Sequence, residues 1–378
     1  MQLTTIATFA ALAGLSAAGA SRKVARTFGV PTDGGFPSPN QAQLAVINSQ
    51  ADGTLSNGAP PAKLADSSLT GFQVVAMQET FEVAFFASLI QNITTNVPGY
   101  EINDQGKKDE LVDILEAVLA QEQLHAINAI NILKKFNKLV PQPCQYTFPV
   151  TNVHDAIQLA ETFTSVVLGT LQDFAQILAK NGDDGAVRSL TSSLGQEGEQ
   201  NGFYRILLAR KPSEKPFLTT STLQFAFSVL QDFIVDGSCP FNVADIPVKV
   251  FPALNILTGK GGQDVDARDQ YLTYSADLAD VAEAAKYVGG NGAGLFVTIF
   301  SGQRVPRSEP IQNAKWNGKQ VTFEAFFPYT EEVLDALSIH TLTIGSNFTS
   351  PAAVVNATIA APGLAQVYDH VKAWDGVM

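Results

Sequence analysis

From about Thr70 the chain places apolar residues at steps of three and four. Phe72, Val75, Phe86 and Ile90 share one side with Glu79 and Glu82, the spacing of a single helix face. Asn96, Pro98 and Gly99 stop that helix. The same period predicts a second helix from near Lys107 to about Lys138. Its inward face reads Leu111, Leu115, Val118, Glu122, His125, Ala129, Ile132 and Phe136. Lys134, Lys135 and Lys138 lie in its last turns, where they favour the negative end of the helix dipole. A third helix, from near Val153, carries Ile157, Glu161, Thr164, Leu168 and Leu171 on one face and stops at Asn181-Gly182. A fourth, from about Ala186 to Ala209, carries Leu190, Leu194 or Ser193, Glu197, Gln200 or Asn201, and Tyr204. The run STLQFAFSVLQDFI reads as a fifth, shorter helix that closes the set. Four long amphipathic helices with short connections predict a four-helix bundle over residues 66–245.

The flanks have another texture. Residues 21–65 are rich in Gly, Pro, Ser, Asn and Asp, and VPTDGGFPSPNQAQ predicts an extended N-terminal arm. Beyond residue 245, runs such as GLFVTIF, KQVTFEAFF and AVVNATIA alternate with Gly, Asn and Pro clusters. They predict short strands and hairpins, a β-rich region over 246–378. ADLADVAEAAKY within it reads as a helix or a strand-flanking turn. Trp316 reads as a hairpin-packing residue. The fold class is therefore α+β, mainly α: a bundle followed by a β-rich module.

Residues 1–20 are apolar and small-residue-rich and end in Ala18-Gly19-Ala20. That is the pattern of a cleavable secretory signal peptide. No later stretch holds about 18 uncharged apolar residues, so no transmembrane anchor is expected once the signal is removed. Cys144 and Cys239, an even pair in an exported chain, suggest one disulfide. Each follows a predicted helix in a Pro-bearing segment, which would put both at the surface. Such a bridge would close a loop of about a hundred residues and add on the order of a few kcal/mol. Asn92, Asn347 and Asn356 begin N-x-S/T sequons, glycosylation acceptors in a secreted protein.

With 24 Lys and Arg against 36 Asp and Glu, the formal net charge is −12. No basic cluster offsets it, so no nucleic-acid partner is expected. GKGG at 259–262 lacks the Ser/Thr and spacing of a phosphate loop, and no G-x-S-x-G supports serine hydrolysis.

The informative anomaly is a carboxylate at the middle of the apolar face of every long helix: Glu79, Glu122, Glu161 and Glu197. An ionised carboxylate is costly to bury alone, so groups so placed pair, protonate or bind metal. Glu122-Gln123-Leu124-His125 is a Glu-x-x-His, whose i, i+3 spacing lets both side chains hold one ion. In the fourth helix Gln200 stands where a second His would complete a two-metal pattern. The candidate ligands are Glu79, Glu122, His125, Glu161, Glu197 and Gln200, for iron or manganese. The competing structural account is a buried polar layer of Glu79, Glu82, Glu122, Glu161 and Glu197, hydrogen-bonded to Gln200, Asn201, Tyr204 and Thr164. Such a layer fixes helix register without any metal. Arg205 is expected to pair with an acidic neighbour.

The segments QETFEVAFFASLI, AQEQLHAINAI, QPCQYTFPV, LGQEGEQNGFYR and FIVDGSCPF add a resemblance. Over roughly residues 68–250 the chain resembles the secreted ferritin-like proteins of fungi, known as late sexual development or stress-response proteins. The resemblance implies a ferritin-like four-helix bundle. It carries Glu79, Glu122, His125 and Glu197 onto the family's carboxylate and Glu-x-x-His positions, with Glu161 a looser match and Gln200 a departure. The function it implies is a secreted or cell-wall-associated protein tied to development or stress, with at most a partial metal site. Two alternatives remain. One is a metal-dependent redox enzyme. The other is a structural or adhesive wall protein, whose partner is a cell-wall component or a second copy of itself. No catalytic residue is assigned.

Overall fold

A computed structural model describes residues 26–368. The expected signal peptide, His370 and Trp374 lie outside the described residues. The chain divides into two compact units, with the division along the chain between Val250 and Phe251.

The first unit is helical. It contains β1 (Thr27–Phe28), α1 (Gln41–Gln50), α2 (Asp66–Thr94), α3 (Gln105–Lys135), β2 (Tyr146–Thr147), α4 (Val153–Lys180), α5 (Asp184–Leu207) and α6 (Leu223–Gln231). Local chemistry sets several boundaries. Asp104 accepts from the Lys107 N–H at 3.0 Å to start α3, and Asn152 accepts from the Asp155 N–H at 2.9 Å to start α4. α4 ends in a Schellman turn: Gly182 adopts φ +71°, and the Asp183 N–H reaches the Leu178 carbonyl at 2.9 Å.

α2 packs along α3, α4 packs along α5, and contact between α2 and α4 joins the pairs. Close approach of α2 to α4 depends on Gly71, where a Cβ would run into the Phe174 ring. The interior is aromatic around Phe81, Phe85, Phe86 and Phe163, whose rings meet edge to face.

The N-terminal arm departs from expectation. It holds a ten-residue helix, α1, opened by a capping box in which Asn40 and Gln43 cap each other's backbone N–H groups. The Gly/Pro content upstream masks that signal. Ile47 of α1 is buried with Val83, Ala120, Leu124 and Ile127 of α2 and α3.

Cys144 and Cys239 form the disulfide, with Cα atoms 4.3 Å apart. Cys144 is buried rather than at the surface, because the Tyr146 strand beside it pairs with Ile234 and folds it inward. The sequon at Asn92 also fails its expected role. Asn92 lies inside α2 and is buried, which leaves no room for a glycan. Asn347 and Asn356 are exposed.

The second unit is a pair of four-stranded antiparallel sheets. Its elements are β3 (Leu254–Ile256), β4 (Gln270–Asp277), β5 (Leu295–Phe300), β6 (Arg307–Pro310), β7 (Gln312–Asn317), β8 (Gln320–Phe327), α7 (Tyr329–Glu332), β9 (Ala336–Ile344), α8 (Pro351–Ala357) and β10 (Thr358–Val367). The strand orders are β10-β9-β5-β6 and β3-β4-β8-β7. Both sheets contribute to one core that includes Leu272, Tyr274, Val297, Phe323 and Leu342. In β8 burial alternates along the strand, as a sheet with one wet face requires. Asn317-Gly318 makes the tight turn between β7 and β8, with Gly318 at φ +61°. Trp316 sits in β7, and its indole N–H donates to the Gly290 carbonyl at 2.8 Å. The ambiguous ADLADVAEAAKY segment contains a 3-10 helix, Ala282–Tyr287.

Candidate metal centre

The helical period turns Glu79 of α2, Glu122 and His125 of α3, and Glu197 of α5 into the same interior. One ligand atom from each lies within 4.8 Å of every other. The imidazole Nδ1 of His125 is 3.1 Å from Glu122, 3.6 Å from Glu79 and 3.6 Å from Glu197. Glu122 and His125 meet because residues three apart on a helix lie on one face. The three carboxylates are buried, while the His125 side chain keeps 15% of its surface exposed.

The electrostatics of this group are unresolved by protein alone. Burial lifts the Glu79 carboxyl to about 8, against the pull of His125. Burial, then Glu122, lifts Glu197 to about 7. Burial by itself would lower His125, but Glu79, Glu122 and Glu197 outweigh it and hold the imidazole well above its ordinary value. One imidazole nitrogen can hydrogen-bond well to one carboxylate at a time. Accordingly one oxygen each of Glu79 and Glu122, and both of Glu197, have no hydrogen-bond partner. Buried acceptors left in this state are expensive.

The remaining expected ligands divide. Glu161 of α4 does not join the group. Its carboxylate accepts from Arg205 at 2.7 Å and from Arg210 at 3.2 Å, all three side chains being buried. Two guanidinium groups already neutralise it, so it has no need of a metal. Arg205 thus pairs with an acid, as expected. Gln200 donates through its amide to Gln121 Oε1 at 3.1 Å, while its own Oε1 has no partner. His154 faces Asp155 from the surface, outside the group.

Glu82, which sequence reasoning placed only in a polar layer, belongs to this interior. It is fully buried and neither carboxylate oxygen has a hydrogen-bond partner. Burial first, then the charges of Glu197, Glu122 and Glu79, push its carboxyl well above the usual range. The signal was its i, i+3 spacing from Glu79 on the same apolar face. Tyr204 adds a buried phenol without a partner, raised by burial and then by Glu122, Glu197 and Glu82.

Donors and charge together fit a divalent cation. Three carboxylates and one imidazole nitrogen suit iron, manganese or zinc. A cation would supply the orphaned oxygens with a partner that no side chain provides.

Residues 65–210 match the family model of the ferritin-like domain. The four long helices of this stretch have the ferritin-like fold. The match spans α2 to α5, so all four members of the group and Glu82 fall inside it. In the ferritin-like domain seen here, three of the four long helices deliver an acid to the common centre, and the fourth spends its acid on arginine. No curated protein is significantly similar to the chain. Among the described residues, no helix is long and apolar enough to cross a membrane.

Proposed function

We propose that the chain is an exported ferritin-like protein that binds one divalent metal ion, iron or manganese, through Glu79, Glu122, His125 and Glu197. The observation that carries this reading is the convergence of three buried carboxylates on one imidazole nitrogen, with oxygens left unpartnered. A single ion follows from Glu161, whose commitment to Arg205 and Arg210 withdraws the acid that α4 would offer a second one. When bound, such an ion supplies Lewis acidity and, on a change of oxidation state, one-electron chemistry. The protein's own part is to hold the carboxylates at one level, to bury them, and to place beside them the His125 imidazole, whose proton an ion would displace on binding. The disulfide is compatible with an oxidising compartment, and the N-terminal signal pattern supports export. The motif resemblance to the fungal late sexual development and stress-response proteins supports a role in the cell wall or its surroundings.

Elemental analysis and Mn2+ titration of the purified protein test the reading. About one Fe or Mn per chain is expected. Loss of a first-sphere ligand in His125→Ala should weaken binding by more than about a hundredfold, since even outer-sphere changes cost about 10–100-fold. A stoichiometry of two would assign Glu82 to a second ion. A protein that takes up neither metal would leave Glu79, Glu122 and Glu197 as a structural polar layer and overturn the proposal.

A further inference from the structure

A cavity of about 250 Å³ reaches the candidate metal centre, and Glu79 and His125 form part of its wall. Much of the rest of its wall is apolar, including Phe72 and Val75 of α2, Ala129 and Ile132 of α3, Leu171 of α4 and Leu190 of α5. Segment 55–61 contributes to one side, ending in Pro60 and Pro61. That segment is fastened. Lys135 Nζ donates to both proline carbonyls at 2.8 Å, and the Ala65 N–H donates to Asp183 at 2.9 Å.

The magnitude and chemistry of the cavity select an occupant. An apolar cavity of about 150 Å³ accepts benzene, so this one has room for a ring and a substituent. Its walls offer short polar groups in Asn128, Ser189 and Ser193. Among the described residues that line it there is no lysine or arginine. An anion would therefore meet the carboxyl groups of Glu79, Glu122 and Glu197 with a single imidazole, His125, to set against them. A cation would lose its hydration against apolar walls and compete with a metal for the same carboxylates. A neutral molecule avoids both penalties.

We propose that this cavity binds a small, uncharged, mainly apolar molecule about the size of a monosubstituted benzene, with its polar end towards His125 and Glu79. The proposal deepens the metal-centre reading and rests on it for the direction in which the ligand points. The apolar pocket stands without it.

The test titrates the full protein, metal-free and Mn2+-loaded, with three compounds that share a ring: benzyl alcohol, benzoate and benzylammonium. Binding is followed by ligand-observed NMR. Benzyl alcohol is expected to bind saturably, and the two charged compounds at least tenfold more weakly to the metal-free form. Ser193→Phe should fill the cavity and weaken benzyl alcohol at least tenfold while leaving Mn2+ uptake intact. Ser189→Trp, at an exposed lining position, serves if the first variant does not fold. No saturable binding to either form, equal binding of a charged compound, or binding unchanged by a folded filling variant would overturn the proposal. Alcohol binding without Mn2+ uptake would sink the metal reading and leave the pocket standing. Mn2+ uptake without alcohol binding would do the reverse.

Discussion

Each of the two units holds a histidine in its interior, His125 half-buried and His340 fully buried, and the two are opposites. His125 in the bundle faces three carboxylates, which raise its proton affinity in spite of burial. His340 in β9 faces two hydroxyls: Tyr274 lies 2.8 Å from Nδ1 and Ser338 2.9 Å from Nε2. With no carboxylate against it, burial pushes His340 down to about 3. The hydroxyls can each donate or accept, so they satisfy a neutral imidazole in either tautomer. That network is complete. The one around His125 leaves carboxylate oxygens without partners. Burial of a polar residue is thus no sign of function by itself. What distinguishes a candidate site is a buried group whose protein surroundings cannot satisfy it.

Glu161 gives the sharpest way to test that distinction, because it lies in the same bundle yet is fully matched. Removing its charge in Glu161→Gln leaves Arg205 and Arg210 buried without their carboxylate. Breaking a buried ion pair from one side costs about 3–5 kcal/mol. Urea unfolding should show a loss of that order, while Mn2+ affinity of the folded variant stays close to that of the parent. A variant of unchanged stability that no longer binds Mn2+ would make Glu161 a ligand after all.

The sequence carries the helical period and hence the inward placement of all five acids, Glu79, Glu82, Glu122, Glu161 and Glu197. It does not carry their partners. Glu161 and Glu197 look alike on a helical face. They differ because Arg205 closes α5 and Arg210 follows it, so that both guanidinium groups return to α4, a matter of tertiary packing. Glu82 was legible by spacing, but its lack of a partner is visible only in three dimensions. α1 was hidden by its Gly/Pro-rich approach although Asn40 and Gln43 carried a capping box. The strands of the second unit were legible as short apolar runs. Their order in two sheets was not, because pairing between β4 and β8, or β5 and β9, joins residues far apart in sequence.

A smaller effect is expected on the complete side of the comparison. His340→Leu keeps the apolar volume of the core but leaves the Tyr274 and Ser338 hydroxyls without the imidazole. An unsatisfied buried group costs about 1–3 kcal/mol, so thermal melting should fall modestly. Mn2+ uptake should not change. A loss of metal binding on this substitution would mean that the two networks are coupled and that the comparison fails.

Smallest per group and per pH unit, and able to read both histidines at once, is the pH dependence of stability in the metal-free protein. Glu79 and Glu197 titrate near 8 and 7 when folded, against an ordinary value of 4.5. Between 4.5 and those values the folded state holds protons that the unfolded chain has released. Stability therefore falls as pH rises, by at most about 1.4 kcal/mol per pH unit for each proton concerned. His125, also raised, acts in the same direction: its contribution is present below 6.5 and fades as pH rises through its folded value. His340 acts oppositely, because its folded value of about 3 lies below 6.5. Between those limits the unfolded chain binds the extra proton, so this residue weakens the fold as pH falls. Melting curves from pH 6.5 to 8 should thus decline in the metal-free protein, and His340→Leu should leave that decline intact. Saturating Mn2+ should abolish or reverse it, because the ion holds the carboxylates ionised in the folded state. A metal-free protein that gains stability across this range would mean that the three carboxylates already have cationic partners, and the contrast between the two histidines would fail.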